Sequence, residues 1–281
     1  MLSSHLVGVL SGLASALAWG SGDFVGGQAA RRITQFEVVA LAAVSGLAVF
    51  VPAAVLRREP IPNPQSFLWA LAAGVSGAIG VAALYAGLAG GSAAVVAPTA
   101  TVVGAGLPVV LSAMLSGLPG RAEGAGILLG LVGIWLVTRP SGPIQAVERT
   151  TFLLALAAGA GFGGFFILIA QVETGLLFIP LAVAKVAALV LCALVLRARG
   201  QPLPSGRRNP QALLAGVLDG GGNLFYLIAA QQSGMAVAPV LSSMAPAVTV
   251  LLSVRILHEP LRRAQALGVV VCLAAVGLIS L

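Results

Sequence analysis

Apolar residues fall into ten runs along this chain, and short segments rich in arginine and proline separate them. Each run is about 20 residues long, which is the length of α-helix that crosses the roughly 30 Å hydrocarbon layer of a membrane. The pattern therefore predicts ten transmembrane helices. They lie near residues 6–29, 36–56, 67–89, 93–115, 122–138, 152–171, 175–196, 211–231, 236–257 and 264–280.

The composition indicates that lipid, rather than water, is the solvent for most of the chain. Of the 281 residues, 59% are hydrophobic and 8% are charged, whereas about a quarter of the residues in a soluble domain are charged. A soluble fold is excluded because too few polar groups remain to coat its outside. The first run has no basic residue before it and is longer than the apolar region of a signal peptide, so we interpret it as a retained helix.

Comparison of the chain with itself reveals an internal repeat. One offset between the two copies places Tyr85 on Tyr226, and we call this the repeat offset. The same offset places Pro98 on Pro239. Further matched pairs are Gly80 and Gly221, Ala89 and Ala230, Ala97 and Ala238, Ser112 and Ser253, Pro119 and Pro260, and Arg121 and Arg262. A duplicated five-helix unit explains these matches, with residues 1–140 and 141–281 as the two copies.

The number of helices in each copy predicts how the copies are arranged. Five is odd, so the second copy enters the membrane upside down relative to the first. The predicted fold class is therefore an all-α polytopic membrane protein of ten transmembrane helices in two inverted five-helix repeats. Inverted repeats are typical of secondary transporters, in which two related halves give alternating access to a site at the midplane.

Arginines in the connecting segments carry most of the basic charge behind the formal net charge of +7. The connections on one side of the predicted bundle hold eleven arginines, and those on the other side hold Arg57, Arg58 and Arg121. Under the positive-inside rule, the arginine-rich side is cytoplasmic, which predicts that both termini face away from the cytoplasm. Since orientation in a membrane accounts for the basic residues, no nucleic-acid partner is predicted.

Three charged residues lie well inside predicted helices, where a charge near the bilayer centre costs roughly 2.5–3.5 kcal/mol and marks a candidate for function. Asp23 lies toward the end of the first helix, Lys185 near the middle of the seventh, and Asp219 near the middle of the eighth. Lys185 and Asp219 should have similar depths and are predicted to interact. The pair is either part of a substrate site or an ion pair that only fixes helix packing.

Asp219, Asn223 and Tyr226 share one face of the eighth helix, at positions i, i+4 and i+7. The glycines of the DGGGN segment allow a substrate or another helix to approach closely. A polar face at the midplane requires water, protein or substrate opposite it. The stripe predicts a polar cavity, with hydrogen bonding between helices as the alternative.

The first helix carries a second stripe, formed by Ser15, Trp19 and Asp23 at steps of four residues. An aromatic ring beside an acid suits an organic or cationic substrate, and a tryptophan that anchors the helix at the membrane interface is the alternative. Tyr85, the repeat mate of Tyr226, is predicted to line the same cavity from the other half. The candidate substrate or coupling residues are Trp19, Asp23, Tyr85, Lys185, Asp219, Asn223 and Tyr226.

The sequence does not support metal or cofactor chemistry. Cys192 and Cys272 lie inside apolar runs without a partner at ligand spacing, and His5 and His258 lie at the ends of predicted helices. We therefore predict neither a disulfide framework nor a metal site. No phosphate-binding loop or catalytic dyad is present in the sequence, so we predict no cofactor, no ATP hydrolysis and no enzyme activity.

Several short segments occur in a fixed order: LAWGSGDFVGG in the first helix, VVAP and AVAP at the starts of the fourth and ninth, Pro246, and the final LHEPLRRAQALGVVVCLAAVGL. Together they resemble the drug/metabolite transporter superfamily, specifically its ten-helix EamA-type members, over nearly the whole chain. The resemblance implies a transport function and a fold of two five-helix halves. It also implies cytoplasmic termini, the opposite of the orientation predicted from the arginines.

We interpret the chain as a secondary transporter that moves small organic metabolites or drugs across the plasma (inner) membrane by alternating access. Export, and proton coupling through Asp23 or Asp219, are further hypotheses. The alternatives are a passive channel or facilitator and, with less support, an intramembrane enzyme. The predicted partners are the lipid bilayer, a small-molecule substrate and, under the coupling hypothesis, protons, with the chain acting as a monomer or a homodimer.

Overall fold

The computed structural model describes residues 3–89, 93–138, 148–258 and 260–280. Within these ranges the chain forms α-helices joined by short connections, with a 3-10 turn at Gly206–Arg208 and no strand. The α-helices are α1 (Ser4–Ala29), α2 (Gln35–Leu56), α3 (Pro64–Ala89), α4 (Ala93–Ser116), α5 (Arg121–Thr138), α6 (Arg149–Ile169), α7 (Phe178–Ala198), α8 (Pro210–Ser242), α9 (Ala245–Leu257) and α10 (Arg263–Ile279). The predicted all-α fold is confirmed, while the predicted repeat boundary between residues 140 and 141 lies outside the described residues.

The chain reverses direction inside α8, at Gly234. This glycine has φ 79° and ψ −179°, a combination that is essentially confined to glycine because it has no Cβ. Before Gly234 the chain runs antiparallel to α1, and after it the chain runs parallel to α1. The close approaches of α1 glycines show this order: Gly8 with Ser233, Gly22 with Leu218, Gly12 with Leu241 and Gly20 with Val248. The predicted eighth and ninth spans are therefore the two arms of this reversal.

The predicted ninth span, residues 236–257, is interrupted near its middle. Ser243 and Met244 form a turn between the end of α8 and the start of α9. Pro246 has no N–H group to donate to the carbonyl of Ser242, so the helical hydrogen-bond ladder is open at this point. The repeat counterpart of this span, α4, is one continuous helix although it contains two prolines. The interruption therefore belongs to one repeat only.

The helix packing repeats itself when five is added to each helix number. α1 packs along α8 and α6 packs along α3, which is the corresponding pair, and α4 with α6 corresponds to α9 with α1. α3 with α7 corresponds to α8 with α2, while α2 with α7 and α5 with α10 each correspond to themselves. This pattern requires a pseudo-twofold axis, and an odd number of helices per copy places that axis in the membrane plane. The two halves are inverted, as predicted.

Both described ends of the chain lie at the same end of the bundle, where His5 Nε2 is 2.9 Å from the carbonyl oxygen of Ile279. This end also holds the α2–α3, α4–α5 and α6–α7 connections and is termed the terminal face. The opposite end, which holds the α1–α2 and α7–α8 connections, is termed the distal face. The side of the membrane that each face occupies stays a prediction.

The surface of the bundle matches a lipid environment. Within the described residues, seven segments are long and apolar enough to cross a membrane, with the reversed α8–α9 segment counted as one. α10 is shorter, at 17 residues, and the more polar α1 is packed against α8 and α9. The outer helices expose large apolar side chains, including Leu128 and Leu273, each 67% exposed. The chain is an integral, multi-pass membrane protein.

Candidate substrate site

A cavity of about 520 Å³ lies in the middle of the bundle and extends toward the distal face. Its walls come from both halves, from α1 to α4 in the first and from α6 to α9 in the second. Most of the wall consists of glycine, alanine, valine, leucine and phenylalanine residues, so few polar groups reach the cavity. The charged residues and the largest polar side chains among the described lining are Trp19, Asp23, Lys185, Asp219 and Asn223.

The Asp219 carboxylate is the centre of the polar cluster. Its Oδ2 accepts a charge-assisted hydrogen bond from Lys185 Nζ. Its Oδ1 accepts from Trp19 Nε1 at 3.2 Å and from Asn223 Nδ2 at 3.1 Å. Asn223 also donates to the backbone carbonyl of Asp219 at 2.6 Å. Groups from α1, α7 and α8 thus meet at one carboxylate, and the predicted interaction of Lys185 with Asp219 is present.

Lys185 reaches this carboxylate because a glycine leaves room for its stem. In α2, a Cβ on Gly46 would lie 3.2 Å from Lys185 Cε and 3.4 Å from Cδ, which is tighter than ordinary contacts. The Lys185 side chain is 14% exposed and that of Asp219 is 38% exposed. A partly desolvated ion pair is stabilised when the remaining hydrogen bonds of its charged groups are also made, and Trp19 and Asn223 supply those bonds to Asp219.

Trp19 is held against the backbone of α8. A Cβ on Gly222 would overlap the Trp19 ring, so the glycine permits the ring to approach the helix closely and its N–H to reach Asp219. Ser15, one turn earlier in α1, donates to the carbonyl of Gly222 at 2.8 Å and fixes the same contact. Gly222 of the DGGGN segment therefore serves close helix packing and, through it, the position of an aromatic wall of the cavity.

Tyr226 lies behind this wall and does not line the cavity. It is fully buried, its hydroxyl donates to the carbonyl of Phe166 at 2.8 Å, and its ring packs against Phe166 and Trp19 at centroid distances of 4.7 and 5.9 Å. Its position in the polar stripe of the eighth helix thus serves packing between α6 and α8. Tyr85 lies in α3, and its side chain lies outside the described part of the structure.

Asp23 lines the cavity one helical turn beyond Trp19. Within the described residues, its carboxylate makes no hydrogen bond or salt bridge, whereas Asp219 is satisfied by three side chains. The cluster of Asp23, Lys185 and Asp219 therefore combines one paired acid with one unpaired acid. An unpaired carboxylate in a mostly apolar cavity attracts a cationic or proton-bearing group.

The cavity is also lined by residues that the sequence did not predict. Phe162, Phe165 and Phe166 form an aromatic wall from α6. Thr101 of α4 and Ser242 of α8 also reach the cavity, and the repeat offset places one on the other. The offset could have identified this last pair, since both residues are small and hydroxylated. The phenylalanines gave no such signal, because aromatic residues at helical spacing are equally typical of lipid-facing surfaces.

Comparison with known proteins gives a family match and a structural match. A family model described as the EamA-like transporter family matches the chain twice, over residues 6–139 and 149–281. A solved crystal structure superposes with a TM-score of 0.76 at 21% sequence identity, over 97% of this chain and 96% of the other. At that identity the superposition concerns the fold alone. No curated protein matches the chain in sequence.

Proposed function

The chain belongs to the EamA-like transporter family and is a membrane transporter of the drug/metabolite superfamily, and we propose that it is a secondary transporter of small organic molecules. In this proposal the substrate binds in the central cavity and the two inverted halves expose it to each side of the plasma membrane in turn. One observation carries the proposal. The charged groups that lie at membrane depth in α1, α7 and α8 converge on a cavity that both halves enclose.

The chemistry of the cavity favours a molecule with an apolar body and one cationic or hydrogen-bond-donating group. The apolar and aromatic walls suit the body, and the unpaired carboxylate of Asp23 suits the charged group. Trp19 of α1 is hydrogen-bonded to Asp219, lines the same cavity as Asp23 and offers a ring face to a bound cation. A proton bound at Asp23 is the alternative to the cation, which provides a basis for exchange of substrate against protons.

Counterflow in proteoliposomes tests this proposal. A ligand is first identified by thermal stabilisation of the purified protein with amines, amino acids, nucleosides and sugars, because a ligand that binds only the folded state raises the melting temperature. Liposomes preloaded with that ligand should then accumulate labelled ligand above equilibrium. A channel or passive facilitator would equilibrate the label without an overshoot, and an enzyme would convert the ligand.

The Asp23→Asn variant sharpens the test. It keeps the size of the side chain and removes its charge, so we expect counterflow to fall at least tenfold while the melting temperature changes little. Under proton coupling, the residual counterflow of the variant would also lose its dependence on a pH gradient. Wild-type counterflow rates and pH dependence in Asp23→Asn would remove Asp23 from the site.

A further inference from the structure

The two ends of the α2–α7 helix pair have related sequences and related backbone structures. At the terminal face, α2 is followed by Arg57, Arg58 and Glu59, which meet the start of α7. At the distal face, α7 is followed by Arg199, Gly200 and Gln201, and Arg199 meets the start of α2. These ends read RREPIP from residue 57 and RGQPLP from residue 199. The inverted repeat therefore brings related sequences to opposite faces of the membrane.

The backbone conformations at these two ends correspond closely. The N–H groups of Glu59 and Gln201 each donate to a carbonyl five residues earlier, that of Ala54 and that of Leu196 respectively, both at 2.9 Å. The residues just before them, Arg58 and Gly200, are both left-handed, with φ 49° and 65°. Gly200 adopts this conformation without strain because it has no Cβ, whereas the left-handed conformation is sterically strained for Arg58. The strained residue sits directly before Glu59.

Each end also carries the same contact between a guanidinium group and an aromatic ring. Arg57 Cζ lies 5.8 Å from the ring centroid of Phe178, at the start of α7. Arg199 Cζ lies 4.7 Å from the ring centroid of Phe36, at the start of α2. The offset that places Arg57 on Arg199 also places Phe36 on Phe178. Cation–π contacts therefore hold both ends of the helix pair.

Glu59 and Gln201 occupy corresponding positions, but their side chains make different hydrogen bonds. Glu59 caps α7, since its carboxylate accepts from the N–H groups of Leu177 at 2.5 Å, Phe178 at 2.9 Å and Ile179 at 2.6 Å. A carboxylate at a helix N-terminus gains from both the free N–H groups and the helix dipole. The related Gln201 Oε1 is buried and has no hydrogen-bond partner in the described part of the chain.

The start of α2 does not need Gln201 in this conformation. Thr34 and Glu37 form a capping box there, in which Glu37 accepts from the Thr34 N–H at 2.8 Å. At the terminal face, Glu59 thus caps the neighbouring helix α7. At the distal face, the corresponding Gln201 Oε1 caps no helix in the described part of the chain. The unequal use agrees with the position of the cavity, which extends toward the distal face.

We propose that Glu59 is the latch that holds the terminal face closed in this conformation, and that Gln201 is its repeat-related counterpart, which caps α2 when the distal face closes. The inference rests on the proposed function, because only alternating access requires each face to close in turn. Glu59 acts as a positioning residue, since it contacts α7 rather than the cavity. Replacing its charge should release the terminal face and leave the cavity lining intact.

Cysteine labelling of purified protein in nanodiscs tests the latch without any substrate. Cys192 and Cys272 are buried and are first replaced by alanine. Ala73→Cys reports on the terminal face, because Ala73 is fully buried in the apolar cluster that includes Ile169, Val172 and Leu181, beside the α6–α7 connection of that face. Gly27→Cys reports on the distal mouth, where Gly27 lines the cavity and has open space for a side chain.

Glu59→Gln should raise the labelling rate at Ala73→Cys about tenfold and lower the rate at Gly27→Cys, because opening one face closes the other. Gln201→Ala, the matched variant at the other end, should leave Ala73→Cys protected. The latch is refuted by unchanged rates in Glu59→Gln, by a rise at both reporters, which would indicate general loosening, or by deprotection of Ala73→Cys in Gln201→Ala. Counterflow is measured separately, so a reciprocal labelling change without counterflow would refute the proposed function and leave the latch standing.

Discussion

The two walls of the cavity that the repeat relates have the same packing and different chemistry. The wall formed by α8 presents Asp219 and Asn223, whereas the positions that the repeat offset matches to them, in α3, are Ala78 and Ala82. Both helices nevertheless pack in corresponding ways, α8 against α2 and α3 against α7. Duplication therefore explains the scaffold, and the binding groups belong to one copy.

This asymmetry has a physical reason. A carboxylate at membrane depth requires a cation and hydrogen-bond donors around it, and each such cluster costs desolvation free energy. A single cavity on the pseudo-twofold axis needs only one cluster to bind one substrate. The apolar wall of α3 can then pack with glycine and alanine, which keeps the opposite side of the cavity smooth and free of competing charges.

The largest expected effect comes from removing one member of the polar wall's ion pair. Lys185→Met leaves the Asp219 carboxylate without its cation, with Trp19 and Asn223 as its remaining donors in the described part of the chain. We expect a loss of about 3 kcal/mol of stability, near the low end for a broken buried pair because Asp219 is partly open to the cavity. Lys185→Met combined with Asp219→Asn should recover at least half of that loss. Thermal unfolding in detergent measures both, and a double variant less stable than the single one would show that the pair is not coupled.

A glycine on each wall gives the second comparison. Gly222→Ala would push the Trp19 ring away from α8, and we expect a loss of about 2 kcal/mol from overpacking together with weaker ligand binding. Gly77→Ala, on the apolar wall, is the matched control, because its Cβ would meet Phe165 at an ordinary 3.5 Å. Equal effects of the two substitutions on melting temperature and ligand affinity would mean that Trp19 has no special position.

The smallest effect on stability is expected from Asn223→Ala. This change removes a donor to Asp219 without leaving a charge unpaired, so we expect about 1 kcal/mol of destabilisation and a roughly tenfold fall in counterflow. Ala78→Ser places a hydroxyl on the opposite wall and should change counterflow less than twofold. If Ala78→Ser were as damaging as Asn223→Ala, the two walls would contribute alike and the comparison would fail.

The predicted contact of Lys185 with Asp219 came from depth alone, since two charges at mid-membrane gain by meeting. The same reasoning failed to separate Asn223 from Tyr226, which share a helical face. Asn223 bonds to Asp219, while Tyr226 turns to the carbonyl of Phe166. A shared helical face predicts only the general direction in which side chains point. The packing of the neighbouring helix decides whether a side chain lines a cavity or fills a gap.

The latch residues show the opposite case, in which a signal lay in the sequence but had no evident meaning. The segments RREPIP and RGQPLP repeat at an offset one position longer than the repeat offset that aligns the later helices. As sequence they are two loops with prolines. Only the packing of α2 against α7 brings Glu59 onto the N–H groups of one helix and leaves Gln201 Oε1 without a partner among the described residues at the other.

The sequence by itself determined the number of helices, their inversion and the depth of the charged residues, because a bilayer imposes a fixed helix length and a high cost on every buried charge. The rotation of each helix about its axis was decided by tertiary structure, through glycines such as Gly46 and Gly222 that set how closely particular faces approach. The unequal ends of the α2–α7 pair were also decided by tertiary structure, because they depend on contacts between segments far apart in the chain, which no local pattern encodes.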